Sequence, residues 1–217
     1  MLNKITNHHV SNKIRLIGIS GKIASGKDTF AELLATELTG KVERHALADN
    51  LRLITEIISG ISMTTTHKIN EPFSNEIRNY SQDQKNIIID KYNKTIGETL
   101  QLVGTELFRD GYDVDIWVKS LFSSKLEEKL NEGKIIVIPD VRFINEADYI
   151  LQKGGYLIRL EGDPIKIREN SSRNQNHISE TNLDNYDKFH KIIYNNKDIQ
   201  NLKNIVNDLI FELELNK

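Results

Sequence analysis

Residues 14–38 of the chain read IRLIGISGKIASGKDTFAELLATEL. The first seven are almost all apolar and are ended by Gly21, which is typical of a central strand buried on both faces. Four apolar residues then recur at helical spacing, at Phe30, Leu33, Leu34 and Leu38. The stretch therefore predicts a strand, a glycine turn and an amphipathic helix in that order.

The turn carries a phosphate-binding pattern. Gly21 to Lys27 satisfies G-x-x-x-x-G-K between a buried strand and a helix, the context in which this pattern marks a P-loop. Backbone N–H groups of such a loop converge on phosphate oxygens, and the helix N-terminus adds partial positive charge. The expected ATP contacts are Gly21, Lys22, Ala24, Ser25, Gly26, Lys27, Asp28 and Thr29. We expect Lys27 to bridge the β- and γ-phosphates in catalysis; the alternative is a plain glycine turn with a solvent-facing lysine.

One position departs from the usual loop. Asp28 follows Lys27 where a Ser or Thr that touches Mg²⁺ is usual, and Thr29 comes one residue later. We expect Asp28 to reach the metal through water and Thr29 to offer its hydroxyl to a phosphate. A helix N-cap or first-turn role is a comparable alternative for either residue.

The rest of the chain alternates strands with helices. Four more short apolar runs predict strands at Val42 to Ala46, Ile135 to Ile138, Tyr156 to Leu160 and Lys191 to Tyr194. Helical spacing is found around 51–58, 100–107, 118–130 and 199–213. We predict one α/β domain over 1–217 of the P-loop NTPase type, a three-layer α/β/α fold with a five-stranded parallel sheet. Its core covers about 14–60 and 97–215, with excursions at about 61–112 and 163–180.

Composition excludes several classes of protein. Lys and Arg number 29 against 31 Asp and Glu, so no global basic charge favours nucleic acid or an anionic membrane as a partner. The chain has no cysteine, which excludes disulfides and thiolate metal sites. Residues 1–13 are polar and no later stretch could span a bilayer, so we expect a cytoplasmic protein, in the host cytoplasm if the source is viral.

Charged residues follow two of the predicted strands. Asp140 comes directly after a buried strand, where a carboxylate can orient Mg²⁺ or its waters; a helix cap is the alternative. Arg142 can project from the same edge and bind phosphate with two N–H groups, and a salt bridge to Glu146 is its alternative. Asp49 lies near the end of the second strand.

Two further segments suit phosphate or base binding. Arg168 and Arg173 lie in a Ser/Asn-rich segment between the fourth and fifth strands, which predicts a lid that closes arginines over the transferring group. Solvated surface charge is an equal alternative for both. Residues 105–113 bring Arg109 and several acids close to Trp117, as in a site for phosphate and base.

Together these blocks resemble the bacteriophage deoxynucleoside monophosphate kinase family, among the P-loop nucleotide kinases. The resemblance is carried by the loop ending Ser-Gly-Lys-Asp-Thr and by Leu100-Gln101, Gly104-Thr105-Glu106, Phe108-Arg109, Asp113, Asp115, Trp117, Asp140 to Phe143, Asn145-Glu146 and His177 to Glu180. It implies ATP-dependent phosphorylation of deoxynucleoside monophosphates with Mg²⁺, and an Asp-Thr loop ending typical of the family. The first excursion would bind the monophosphate (NMP), and the second would be the lid.

The resemblance also implies residue roles. Those that would approach the acceptor monophosphate are Asp49, Arg52, Gln101, Arg109, Asp113, Trp117 and Arg142. Arg142, Arg168 and Arg173 would join Lys27 in catalysis, Asp28 and Asp140 would serve the metal, and Asn195 would border the ATP adenine.

Some points stay open at the level of sequence. Gly97 and Thr99 stand where similar proteins often carry arginine before Leu-Gln, and residues 62–95 match little, so base preference is undetermined. His177 to Glu180 could cap a helix or brace the lid. The alternative functions are another small-molecule P-loop kinase, of the phosphomevalonate or dephospho-coenzyme A type, and a non-catalytic nucleotide-binding regulatory protein. A homodimer is one assembly that the sequence allows.

Overall fold

The computed structural model describes residues 13–65, 77–122, 124–164 and 177–216. Its strands are β1 (Leu16–Gly21), β2 (Val42–Arg44), β3 (Thr64–Thr65), β4 (Arg78–Asn79), β5 (Ile88–Ile89), β6 (Lys94–Thr95), β7 (Ile135–Val141), β8 (Tyr156–Glu161) and β9 (Lys191–Tyr194). Its α-helices are α1 (Lys27–Glu37), α2 (Asp49–Ser59), α3 (Gln82–Lys85), α4 (Ile96–Gln101), α5 (Ile116–Leu121), α6 (Ser124–Asn131), α7 (Ile144–Gln152), α8 (Ile178–Thr181) and α9 (Ile199–Glu212). A π-helix, Leu102–Asp110, continues directly from α4.

The central sheet has five parallel strands in the order β2-β7-β1-β8-β9. All six residues of β1 are buried, as the apolar run at its start predicts. The five predicted strands and their parallel arrangement are confirmed. Because parallel strands end at one edge of a sheet, the residues after β1, β2 and β7 meet there.

Helices cover both faces of the sheet, which confirms the three-layer fold. Side chains of β7 alternate between the faces, as strand geometry requires. Ile135 and Val137 pack with α1 and α9 in one core cluster. Ile136 and Ile138 pack with α2, α5 and α7 in the other.

A bulge lies in β7 just before its end. Gly18 of β1 is opposite Ile138 and Ser20 is opposite Val141, so two residues of β7 face a single residue of β1. The two are Pro139 and Asp140, and proline, which has no N–H to donate, is tolerated in a strand at such a bulge. Bulges redirect the side chains that follow them.

The segment between α2 and α4 forms a small unit with its own core. β3 pairs with β4 and β5 with β6, each pair antiparallel. Met63, Tyr80, Ile89 and Ile96 are buried together between these elements. The described residues of the first excursion thus contain two short strand pairs together with α3, α4 and the π-helix.

Two predicted helices differ from the structure. The helix expected over 118–130 is two helices, because Phe122 leaves the helical conformation after α5 and packs its ring 5.0 Å from that of Tyr149. The helix expected over 100–107 continues as a π-helix, and the carbonyl of Gly104 in it accepts a hydrogen bond from the indole N–H of Trp117 at 2.9 Å. In the described ranges, no helix has the length and apolar character needed to cross a bilayer.

Candidate active site

The loop between β1 and α1 requires glycine at two positions. A Cβ on Gly21 would lie 2.5 Å from the carbonyl oxygen of Leu160 in the neighbouring strand. Gly26 has φ +90°, a left-handed conformation, and a Cβ there would lie 2.5 Å from Nδ2 of Asn195. That Asn195 amide donates to the Ser25 carbonyl at 3.0 Å. Glycine is therefore required at both positions, because a side chain there would collide with neighbouring atoms.

Lys27 is the first residue of α1, and its side chain is folded over the loop. Its Nζ donates to the Lys22 carbonyl at 2.7 Å and lies 3.4 Å from Ser25 Oγ. Burial, aided by the positive charge of Arg142, lowers the pKa of Lys27 to about 7. Both effects disfavour the ammonium form, and they outweigh the opposing negative charges of Asp28 and Glu180.

Asp28 is held by a cation that the sequence did not identify. Arg44, at the end of β2, is only 7% exposed and its Nη2 donates to Asp28 Oδ1 at 3.0 Å, while the Asp28 side chain is 69% exposed. Desolvation opposes ionisation of Asp28, but the charge and hydrogen bond of Arg44, together with the charges of Lys27 and Arg52, outweigh it, and the pKa of Asp28 is lowered. A carboxylate at the loop is thus ionised at neutral pH.

Asp140 binds the backbone just before α2. Its Oδ1 accepts from the Leu47 N–H at 2.9 Å and its Oδ2 from the Ala48 N–H at 3.1 Å, two groups that precede the first residue of that helix. Arg52 of α2 lies between two carboxylates, 4.0 Å from Asp140 and 2.6 Å from Asp49. The Asp140 carboxylate therefore links the end of β7 to the residues just before α2.

Arg109 is buried in a polar cluster beneath the site. Its guanidinium pairs with Glu146, and also donates to the Val114 carbonyl at 2.9 Å and to Asn145 Oδ1 at 3.1 Å. It lies 3.7 Å from the centre of the Phe143 ring. Burial raises the pKa of Glu146 even though the charge of Arg109 opposes this.

Arg142 pairs with a different acid from the one the sequence suggested. Its guanidinium contacts Glu180 and donates to the Ser179 carbonyl at 3.2 Å. The alternative partner, Glu146, instead accepts the backbone N–H of Arg142 at 2.8 Å. The side chain of Arg142 remains 25% exposed.

The structure gives a role to residues 177–180, for which the sequence left two roles open. His177 caps α8, its Nδ1 accepting from the Ser179 N–H at 3.2 Å. Glu180 accepts from the loop N–H of Ile23 at 3.2 Å. The segment therefore combines a helix cap with a brace against the loop between β1 and α1.

These groups line a cleft of about 310 Å³ at the carboxyl edge of the sheet. The predicted site residues in its wall are Ala24, Lys27, Asp28, Arg52, Gln101, Arg109, Trp117, Asp140 and Arg142. The wall also contains polar residues that sequence reasoning missed: Arg44, Asn79, Lys85, Glu146 and Ser179. The alternation of strands and helices indicates which edge holds the site, but not which distant side chains turn into it.

Two buried side-chain atoms among the described residues lack a hydrogen-bond partner, Asn79 Oδ1 and Arg109 Nε. Both residues lie in the cleft wall. A buried polar atom left unpaired costs about 1–3 kcal/mol, so such atoms are rare and call for an explanation.

Other predicted residues lie outside the cleft wall. Asp49 binds Arg52, and Asp113 accepts from the Asp115 N–H at 2.9 Å and from Lys119 at 2.7 Å.

Several predicted ATP contacts also lie outside the cleft wall. Asn195 contacts the loop through its amide, which donates to the Ser25 carbonyl. Of the remaining loop residues, Lys22 pairs with Asp184 at 2.8 Å. Thr29 is half-buried in the first turn of α1.

The predicted lid arginines, Arg168 and Arg173, lie outside the described residues. Their proposed action over the transferring group therefore stays a prediction. The described part of the cleft already contains Lys27, Arg44, Arg52, Arg109 and Arg142.

Comparison with known proteins gives two matches. Residues 52–206 match the family described as Deoxynucleotide monophosphate kinase. The chain is also 30% identical over 200 residues to a protein of Acanthamoeba polyphaga mimivirus named "Putative deoxynucleotide monophosphate kinase", an alignment covering 85% of this chain and 90% of the viral one. The family match begins at Arg52, so it includes the cleft residues from α2 to β7 but not the glycine loop.

Proposed function

The chain belongs to the deoxynucleotide monophosphate kinase family, and we propose that it transfers the γ-phosphoryl group of ATP to a deoxynucleoside monophosphate. The observation that carries this proposal is one cleft in which the loop lysine, Lys27, shares a wall with Arg52, Arg109 and Arg142. A donor phosphate and an acceptor phosphate are both anionic, and a cleft for both needs cations on two sides. The products would be ADP and a deoxynucleoside diphosphate.

In this proposal the triphosphate of ATP lies in the loop from Gly21 to Thr29. The N-terminus of α1 and the loop N–H groups would bind its phosphate oxygens. Lys27 would leave the Lys22 carbonyl, to which it donates in the structure, and bridge the β- and γ-phosphates. Bound phosphate would raise the pKa of Lys27 again, because a nearby negative charge favours the ammonium form.

The acceptor would enter from the side of α2 and the small unit. Arg142, which is partly exposed, and Arg52 suit its phosphate. Trp117 and Gln101 offer an apolar surface and an amide to the base. Asn79 and Arg109 add polar character to the same wall.

The carboxylates near the loop suit Mg²⁺ that arrives with ATP. Mg²⁺ in kinase sites usually keeps several waters and takes one or two carboxylates in addition to phosphate oxygens. The described ranges contain no group of three or more acidic, histidine or cysteine side chains placed to hold a metal ion. The exposed, ionised Asp28 and the strand-end Asp140 would hold the hydrated ion. When bound, Mg²⁺ neutralises charge on the β- and γ-phosphate oxygens.

Catalysis would depend on position and charge. The acceptor phosphate is already anionic, so no side chain has to remove a proton before its oxygen attacks the γ-phosphorus in line. Lys27 and Arg142 would stabilise the charge on the transferring group, and the cleft would hold the two substrates at reacting distance. The bond to the β-phosphate breaks as ADP leaves.

The direct test is to incubate the protein with ATP, Mg²⁺ and each deoxynucleoside monophosphate in turn, and to separate the diphosphates by chromatography. Replacing Lys27 by Ala should lower turnover by at least about 100-fold, as expected for loss of a group that stabilises transition-state charge. Lys203→Ala is the matched control, because Lys203 pairs with Glu37 on the helices behind the sheet. Near-normal turnover by a folded Lys27→Ala variant would contradict the proposal.

The same assay separates the rival functions. A kinase of the phosphomevalonate or dephospho-coenzyme A type would leave every deoxynucleotide unchanged and phosphorylate its own acceptor. A regulatory nucleotide-binding protein would bind ATP and form no product with any acceptor. Including ribonucleotides in the panel would give the preference for deoxyribose.

A further inference from the structure

The carboxylate of Glu180 joins two parts of the cleft that are far apart in sequence. Its side chain is only 2% exposed. One oxygen contacts the guanidinium of Arg142 at the end of β7, and the other accepts from the Ile23 N–H in the loop at 3.2 Å. One buried anion thus contacts an arginine of the acceptor side and a backbone group of the donor side.

We propose that Glu180 is a positioning residue, which sets the guanidinium of Arg142 for the acceptor phosphate and holds the loop at Ile23. This inference rests on the proposed function, since it assigns Arg142 to that phosphate. Glu180 itself is not expected to touch either substrate.

The physical reason is that a flexible arginine needs a fixed counter-ion to be placed accurately. The Arg142 side chain is 25% exposed, so without a partner it would sample several rotamers in the cleft mouth. Charge-assisted contacts to Glu180 and to the Ser179 carbonyl direct it from one side. The side of the guanidinium towards the cleft then stays available for phosphate.

Charge balance in the cleft supports the same role. Lys27 and Arg142 are two cationic side chains in one cleft wall, and the Glu180 carboxylate lies between Arg142 and the loop. Two cations meant for one phosphoryl group repel each other before the substrates arrive. A buried anion between the arginine and the loop reduces that repulsion.

A second carboxylate on the same segment provides the comparison. Asp184 pairs with Lys22 of the loop at 2.8 Å and with Arg159 of β8 at 3.1 Å. It braces the loop as Glu180 does, but its ion pairs are with Lys22 and Arg159 and not with Arg142. If both carboxylates only braced the loop, neutralising either one should have the same kind of effect with and without Arg142.

The central experiment is a double-mutant cycle on kcat/KM for the acceptor monophosphate, using Glu180→Gln, Arg142→Ala and both together. Glutamine keeps an oxygen for the Ile23 N–H but removes the charge that faces Arg142. We expect Glu180→Gln to lower kcat/KM by about 10- to 100-fold, the range for a misplaced binding group. In the Arg142→Ala background the same change should cost less than about threefold, because its effect acts through Arg142.

Asp184→Asn is the matched control for this cycle. Its effect should be the same factor in the wild-type and Arg142→Ala backgrounds, because Asp184 acts through Lys22 and Arg159. Equal, additive behaviour of both carboxylates would overturn the proposal and reduce Glu180 to a structural brace. Thermal melting of every variant shows which of them are folded.

A second measurement leaves Glu180 in place and does not depend on the folding of Glu180→Gln. Arg142→Ala vacates the space next to the Glu180 carboxylate, where added guanidinium ion can bind. We expect low guanidinium concentrations to restore part of the activity of Arg142→Ala, and to restore none when Glu180→Gln is also present. Failure of guanidinium to restore any activity, or equal rescue in both backgrounds, would overturn the proposal.

The two proposals fail in different ways. If the wild-type protein forms no diphosphate from any deoxynucleotide, the proposed function is wrong, and the double-mutant cycle has no kcat/KM to compare. If the wild type is active but Glu180 and Arg142 act additively, the function stands and the positioning role is wrong.

Discussion

The proposed donor and acceptor sides of the cleft are built by opposite means. The donor side is the loop of nine consecutive residues from Gly21 to Thr29, held mainly by backbone geometry between β1 and α1. The acceptor side takes side chains from separate segments of the chain, such as Arg52, Arg109 and Arg142. Each of these arginines already contacts a carboxylate of the protein.

This difference shows where each side is vulnerable. A backbone site fails when a glycine is lost, because the loop conformation itself is the binding element. A side-chain site fails when a partner is lost, because an unpaired buried charge is costly and an unheld arginine is poorly placed. The predictions below test this contrast.

The largest effect should follow from breaking the buried ion pair of the acceptor side. Arg109→Met would leave Glu146 buried without its counter-ion and should lower the free energy of unfolding by about 3–5 kcal/mol. Arg109→Met with Glu146→Leu should recover much of that loss, because no charge is then stranded. Urea denaturation of the three proteins measures this; a single variant as stable as wild type would contradict it.

On the donor side, Gly26→Ala should weaken ATP binding by about 100-fold with little effect on the acceptor side. The new Cβ would combine a left-handed backbone, costing roughly 1–2 kcal/mol, with a collision against Asn195. Gly60→Ala is the matched control, since Gly60 has φ +70° but no atom within 4 Å of the new Cβ. Calorimetric titration with ATP compares them, and equal ATP affinities of the two variants would argue against a steric role for Gly26.

A smaller effect should appear as a pH dependence of donor binding. With a pKa of about 7, Lys27 is mostly neutral in the free protein at pH 8, whereas bound phosphate favours its ammonium form. Binding of ATP at pH 8 should therefore take up close to about one proton, and affinity should fall as pH rises through 7. Titration calorimetry in two buffers of different ionisation enthalpy measures the uptake, which Lys27→Met should abolish. Equal uptake by both proteins would show that another group titrates.

The smallest effect is expected at Asp113. Its carboxylate is engaged by the Asp115 N–H and by Lys119, and it does not line the cleft. Exposed pairs of this kind contribute little to stability. Asp113→Asn should leave both the unfolding midpoint and KM for the acceptor within error of wild type. A clear rise in KM would instead support the substrate contact that the family resemblance implies.

The sequence predicts the loop side of the cleft better than the side built from separate side chains. The strand, loop and first helix were predictable because local patterns determine them: an apolar run, two glycines and a helical repeat. The buried pairs of Arg109 with Glu146 and of Arg142 with Glu180 join residues 37 and 38 positions apart. No local pattern encodes such contacts.

Individual residues show the limits of position alone. Asp140 was expected either to serve the metal or to cap a helix, and the structure places it before α2 while keeping it in the cleft wall. The sequence predicts no role for Arg44, because a charged residue at the end of a short strand is common. Only the fold shows that it lies beside Asp28. The π-helix could not be anticipated, because its sequence has the spacing of an ordinary helix.

The bulge in β7 has a consequence for insertions and deletions. Side chains alternate between the two faces of a strand, so removing one residue would turn every later position to the opposite face. Pro139 and Asp140 together occupy the place of a single residue of β1, and Arg142 follows directly after the strand. At the bulge, by contrast, a one-residue deletion would leave a single residue opposite Ile19 and restore regular pairing, so Val141 would keep Ser20 as its partner and Arg142 would keep its place after the strand.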